Sequence, residues 1–153
     1  MGGVADILAP MSIVLRPARP EECAALTELV MRSKAHWGYD AGFLARCRRV
    51  LTVDPALIAR HPNRVAEIDG APAGFAAFES IGGGVDVLLL FVDPPAMGRG
   101  VGRALFAWIE AAAADSGASV IRIEADPGAE RFYLRMGAER VGEARSEVDP
   151  NRL

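Results

Sequence analysis

Met97-Gly98-Arg99-Gly100-Val101-Gly102 joins an apolar run, Val85 to Val92, to a stretch with helical spacing. A strand that feeds a glycine-lined helix start makes an anion site. Unpaired backbone N–H groups point outward, the helix dipole adds positive charge, and the missing side chains let a phosphate come close. Two phosphate-binding patterns do not fit. A P-loop needs GxxxxGK followed by Ser or Thr, and no segment has it. A dinucleotide turn needs GxGxxG, and counted from Gly98 its third glycine falls on Arg103. Cys23 and Cys47 are isolated, with neither CxxC nor metal-ligand spacing, so they suggest no redox or metal chemistry.

The elements that must position this turn follow from periodicity and punctuation. Ser12 to Arg16 reads as a strand stopped by Pro17, and Pro20-Glu21-Glu22 opens a helix running to about Ser33 on an apolar face of Leu26, Leu29 and Val30. Asp40 caps a second helix, with Phe43, Leu44 and Cys47 on one face, that ends near Val50. A short helical turn starts at Asp54-Pro55. Val65–Ile68 and Pro72–Phe78 are strands joined at Asp69-Gly70, a strong hairpin signal. Gly82-Gly83-Gly84 turns into the Val85 strand. The helix after the glycine turn buries Val101, Leu105, Trp108, Ile109 and Ala112, and ends at Ser116-Gly117. Ser119–Ala125 is expected as a fifth strand, Pro127–Met136 as a short helix and Ala138–Glu143 as a last strand. The crossover from Val92 to Ser119 makes two strands parallel, and the hairpins make the others antiparallel. The fold class is α/β (α+β), a mixed central sheet flanked by helices.

At 153 residues, with 51% apolar and 24% charged residues, the chain has the composition of one globular domain. Residues 1–11 read as a flexible leader and 12–153 as a single domain. A net charge of −3 gives no basic face for nucleic acid. No apolar run reaches the ~18 residues of a membrane span, and there is no signal-peptide pattern, so a soluble, cytoplasmic protein is expected. Lys34 is the only lysine.

The segment 97–102 is similar to the acyl-CoA turn of the GCN5-related N-acetyltransferases (GNAT), Gln/Arg-x-x-Gly-x-Gly/Ala, with Met97 departing at the first position. Asp126-Pro127-Gly128-Ala129-Glu130-Arg131-Phe132-Tyr133 through Gly137-Ala138 resembles the family's later Asn-x-x-Ala-x-x-Phe-Tyr-x-x-x-Gly-Phe segment. Asp126 stands for the usual Asn and Ala138 for the usual Phe. The element order agrees, and the resemblance covers about residues 12–143.

The resemblance implies acetyl-CoA as cosubstrate and no metal. Pantetheine pairs with the backbone at Phe91 and Val92. The pyrophosphate lies on the amides of Gly98, Arg99, Gly100, Val101 and Gly102 beside Met97, with charge from Arg99 or Arg103. Asp126, Ala129 and Phe132 complete the donor side. A neutral amine attacks the thioester directly in a ternary complex, and a backbone N–H near Val92 stabilises the oxyanion. The leaving thiolate has an ordinary pKa of about 8.5, and Tyr133 is the family's usual proton donor to it. Asp86 is the first candidate base because its strand lines the acyl site; Glu124 and Glu79 are the others.

Lys34-Ala35-His36-Trp37-Gly38-Tyr39-Asp40 falls where this family walls its acceptor pocket. Trp37 and Tyr39 can form an aromatic wall, Asp40 can attract an amine and His36 can take a proton. Equally, Trp37 and Tyr39 can be core and cover, and Asp40 only a helix cap. After Val141 the tail is polar, so the family's usual last strand looks absent and a homodimer is expected to cover the edge. The reading is an N-acetyltransferase for a small-molecule or peptide amine; the alternative is a non-catalytic acyl-CoA-binding regulatory module.

Overall fold

The structure, a computed structural model, describes residues 12–139. Strand β1 (Ile13–Arg16) is followed by a 3-10 turn at Pro20–Glu22, then helices α1 (Cys23–Ala35), α2 (Ala41–Leu51) and α3 (Pro55–Arg60). Strands β2 (Asn63–Ile68), β3 (Ala71–Ile81) and β4 (Gly84–Val92) lead to α4 (Val101–Asp115), β5 (Ile121–Arg122) and α5 (Glu130–Arg135). The sheet order is β1-β2-β3-β4-β5, antiparallel up to β4 and parallel between β4 and β5.

The Asp69-Gly70 hairpin forms as its sequence requires. Both residues take positive φ, 52° and 80°, the geometry of a two-residue turn that matches strand twist. Asp40 and Asp54 cap α2 and α3 by accepting from Phe43 N and Leu57 N, each at 2.8 Å.

The two sheet faces carry two cores. Val65, Phe75, Ala77 and Leu89 pack with Leu26 and Val30 of α1, and Ala66, Ile68, Ala76, Phe78 and Val85 pack with Val101, Leu105 and Ile109 of α4. Period-2 alternation holds along β2 but breaks in β3, where the register shift opposite Ala66 and Glu67 puts Ala73 on the same face as Ala76, and again in β4. There Ala77 pairs with Leu89 and Phe78 with Val87, so Leu88 is an extra residue. Leu88 and Leu89 consequently both face α1, after which Leu90 and Val92 return to the α4 face.

Several boundaries differ from the sequence expectation. α1 runs two residues further, to Ala35, because no breaker precedes Gly38. Trp108 and Ala112 are half-buried, while Phe106 and Ala113 take the core positions. The fifth strand is only Ile121–Arg122, because pairing with β4 stops after Val85 and Asp86. The short helix divides into a 3-10 turn at Pro127–Ala129 and α5. Ala138 and Glu139 are coil; the rest of the expected last strand, the question of its absence and the leader lie outside the described residues.

Candidate active site

β4 delivers the chain to the glycine turn. Asp93 N donates to Ala73 O at 2.8 Å, and Pro94–Ala96 forms a 3-10 turn. Gly98 and Gly100 follow with φ of 81° and 86°, where a side chain is strained. Unlike α2 and α3, α4 starts on a residue with no side chain to cap it. The first-turn N–H groups therefore face outward with the positive end of a long helix behind them. Gly102 is a glycine for a different reason: a Cβ there would lie 3.1 Å from the Phe132 ring and 3.6 Å from Val92. The turn is anchored to α1 by Arg32, which donates to both Asp93 carboxylate oxygens at 3.0 Å. Met97, Phe91 and Val92 are half-buried beside it, and Arg99 and Arg103 are exposed.

The two parallel strands part immediately. β5 lies beside β4 only at Val85 and Asp86, and the bulge at Leu88 turns the remaining strand. Among the described residues, no strand flanks β4 on its β5 side from Val87 to Val92. That leaves this edge of β4 without a strand partner up to the glycine turn.

Tyr133 is placed at this end of the molecule by α5. It is 9% exposed, edge-on to Phe106 at 5.9 Å and to Phe132 at 5.0 Å between ring centroids. Burial, and then the charge of Asp126, push its phenol pKa well above the ordinary tyrosine value. The group therefore stays protonated across the neutral range, as a proton donor must. Ala129 ends the 3-10 turn that leads into α5.

The candidate bases are dispersed. Asp86 faces Glu79 across the β3–β4 pairing and accepts an ion-paired hydrogen bond from Arg122 Nε. Glu124 is exposed in the coil after β5. His36 is exposed, with its ring 5.1 Å from that of Trp37. Asp40 is engaged as the α2 cap.

The segment from Lys34 to Asp40 instead leans on the residues ahead of Tyr133. Trp37, 37% exposed, covers Gly128 so closely that a Cβ there would lie 2.8 Å from Trp37 Cζ3. Tyr39 packs on Phe43 at 4.7 Å and donates its hydroxyl to Asp126 Oδ1 at 2.7 Å. Lys34 Nζ donates to the same oxygen at 2.5 Å and lies 5.1 Å from the Tyr39 ring centre. Sequence reasoning missed this Lys34–Asp126 pair, although the lone lysine beside the unusual loop was its signal. It also missed Phe106, which lies one helical turn beyond Gly102 on the face toward α5, and the Arg32–Asp93 anchor.

Comparison with known proteins agrees with this arrangement. A family model described as "Acetyltransferase (GNAT) domain" matches residues 60–137, and the chain belongs to that family of acyltransferases. The structure is similar to PaiA N-acetyltransferase from Thermoplasma acidophilum in complex with coenzyme A, with TM-score 0.72 and 19% identity over 83% of this chain and 87% of that one. It is also similar to a GCN5-related N-acetyltransferase from Ralstonia eutropha, with TM-score 0.72 and 24% identity over 88% of this chain and 97% of that one. A GNAT acetyltransferase from Brucella melitensis in complex with acetyl-CoA gives TM-score 0.64 and 22% identity over 84% of each chain. No curated protein sequence matches. No helix among the described residues is long and apolar enough to cross a membrane.

Proposed function

We propose that the chain is an acetyl-CoA-dependent N-acetyltransferase that acts on a primary amine of a small molecule or peptide. The observation that carries this reading is the meeting of Val92, Gly102 and Phe132, with buried Tyr133 beside them, at the end of the sheet where β4 and β5 part. The coenzyme A and acetyl-CoA complexes of the similar structures support the donor.

In this reading the amides of Gly98 to Gly102, next to Met97, bind the pyrophosphate, and Arg99 and Arg103 add charge. Phe91 and Val92 offer backbone to the pantetheine, and Asp126, Ala129 and Phe132 close the donor side. Trp37, Tyr39, His36 and Asp40 stand on the acceptor side. The neutral amine attacks the thioester carbon, and a backbone N–H near Val92 steadies the oxyanion. As the C–S bond breaks, Tyr133 gives its proton to the thiolate. Asp86, or failing it Glu124, takes the ammonium proton through water. A reducing, cytoplasmic setting goes with this reading, in which Cys23 and Cys47 are both buried thiols. The homodimer is carried as a proposal, and a monomer in light scattering across working concentrations removes it.

The test is release of free thiol from acetyl-CoA against polyamines, amino acids, aminoglycosides and peptides. Turnover with one class, lost in Tyr133→Phe, supports the reading. Coenzyme A binding with no acceptor acetylated, and no effect of Tyr133→Phe, leaves the acyl-CoA-binding module.

A further inference from the structure

We propose that Lys34 is a positioning residue for Tyr133: by neutralising Asp126 it fastens the turn that launches α5 to the acceptor-side loop, so that the two walls of the cleft are set as one body. This rests on the acetyltransferase reading and adds to it a residue that the family motifs do not contain.

The contacts centre on a residue that departs from the family motif. Asp126 occupies a motif position where an amide is usual, and it is largely covered, with its side chain 15% exposed. A carboxylate so placed needs a counter-charge, because an unpaired ion loses more hydration than neutral hydrogen bonds return. Lys34, itself 14% exposed, supplies that charge from the last turn of α1. Tyr39 adds a neutral hydrogen bond to the same oxygen, and Trp37 covers Gly128 two residues further along. Three side chains from the end of α1 and the loop after it thus grip a turn only a few residues long. Tyr133 follows within two helical turns, and Asp126 is close enough for its charge to raise the phenol pKa. With Lys34 removed, the carboxylate must turn toward water, carrying the Pro127–Ala129 turn off Trp37 and α5 with it. The amides that take the donor's pyrophosphate belong to the start of α4, which α5 meets through Phe132 against Gly102, so the movement reaches Tyr133 directly and donor binding only through that contact. Loss of Lys34 therefore shows in the chemical step and in acceptor recognition more than in donor binding.

The experiment compares Lys34→Met, Lys34→Arg and the double variant Lys34→Met/Asp126→Asn in thiol release, with coenzyme A affinity measured by calorimetry. Lys34→Met is expected to lower kcat by about tenfold to 10²-fold, the range for a catalytic group misplaced by a fraction of an ångström to an ångström. Its donor KM and coenzyme A affinity are expected to change by a smaller factor than kcat, the pattern of lost transition-state interaction exceeding lost binding. Lys34→Arg, which keeps the charge, is expected to retain most of the rate. The double variant removes both charges yet leaves an oxygen for Tyr39, and is expected to recover most of what Lys34→Met lost. A Lys34→Met variant with wild-type kcat, or a double variant as slow as the single one, overturns the proposal while leaving the acetyltransferase reading intact. A fall in kcat matched by an equal loss of coenzyme A affinity, with no recovery in the double variant, marks general unfolding and also overturns it. A wild-type chain that releases no thiol with any acceptor removes both.

Discussion

The ring edge of Phe132 lies 3.1 Å from the point where a Cβ on Gly102 would stand. The glycine turn and the tyrosine-bearing helix are therefore in direct contact, and any side chain at position 102 must push them apart. Gly102→Val is expected to cost about 1–3 kcal/mol, the usual range for overpacking a filled site. It is also expected to weaken coenzyme A binding and slow thiol release together. Calorimetry and a thermal melt check both, and a variant with native affinity and rate would show that the contact is incidental.

Gly98 and Gly100 work through backbone conformation, since neither meets a heavy atom closer than 3.9 Å where a Cβ would be added. Alanine at either position must hold a left-handed φ, at a cost of about 1–2 kcal/mol. Gly117, with φ of 74° and open space around it, is the control beyond the end of α4. Gly117→Ala is expected to lower the melting temperature alone, whereas Gly98→Ala and Gly100→Ala also lower coenzyme A affinity. Equal affinities across all three would detach the turn from ligand binding.

Tyr133→Phe keeps the ring packing on Phe106 and Phe132 while removing the proton. Its kcat is expected to fall by about 10²-fold or more, the range for a general acid, with little change in melting temperature. Tyr133 also ties stability to pH. Its folded pKa lies above the ordinary value of 10.0, first through burial and then through Asp126. That contribution is present in full below about pH 10 and is lost as pH rises beyond it. Wild type is therefore expected to lose stability in alkali more steeply than Tyr133→Phe, as denaturant melts on both sides of pH 10 will show.

Asp86 tests the base. If it takes the ammonium proton, Asp86→Asn slows turnover by about 10²-fold near neutral pH. The deficit then shrinks as pH rises and the free amine becomes abundant without help. A flat deficit across pH would instead mark the loss of the Arg122 ion pair that joins β4 to β5.

Local rules carried the sequence a long way. Asp69-Gly70 has the turn residues its hairpin uses, Asp40 is the cap it resembles, and the glycines at 98 and 100 have the dihedrals their type suggests. Those features depend on neighbours along the chain. What stayed hidden depends on neighbours in space. Nothing in Val87–Val92 signals that Leu88 and Leu89 face the same way, because a uniformly apolar run carries no parity to break. The shortness of β5 follows from where β4 turns aside. The Lys34–Asp126 pair joins residues far apart in sequence, and only the rarity of lysine hinted at it.

That rarity has a consequence for the protein as a chemical object. Acetyl thioesters acylate exposed amines without help, and a protein that concentrates one on its surface risks modifying itself. Among its side chains this one offers a single amine, at Lys34, and holds it against Asp126 with little exposure. The rest of its positive charge is guanidinium, which does not accept an acetyl group under the same conditions.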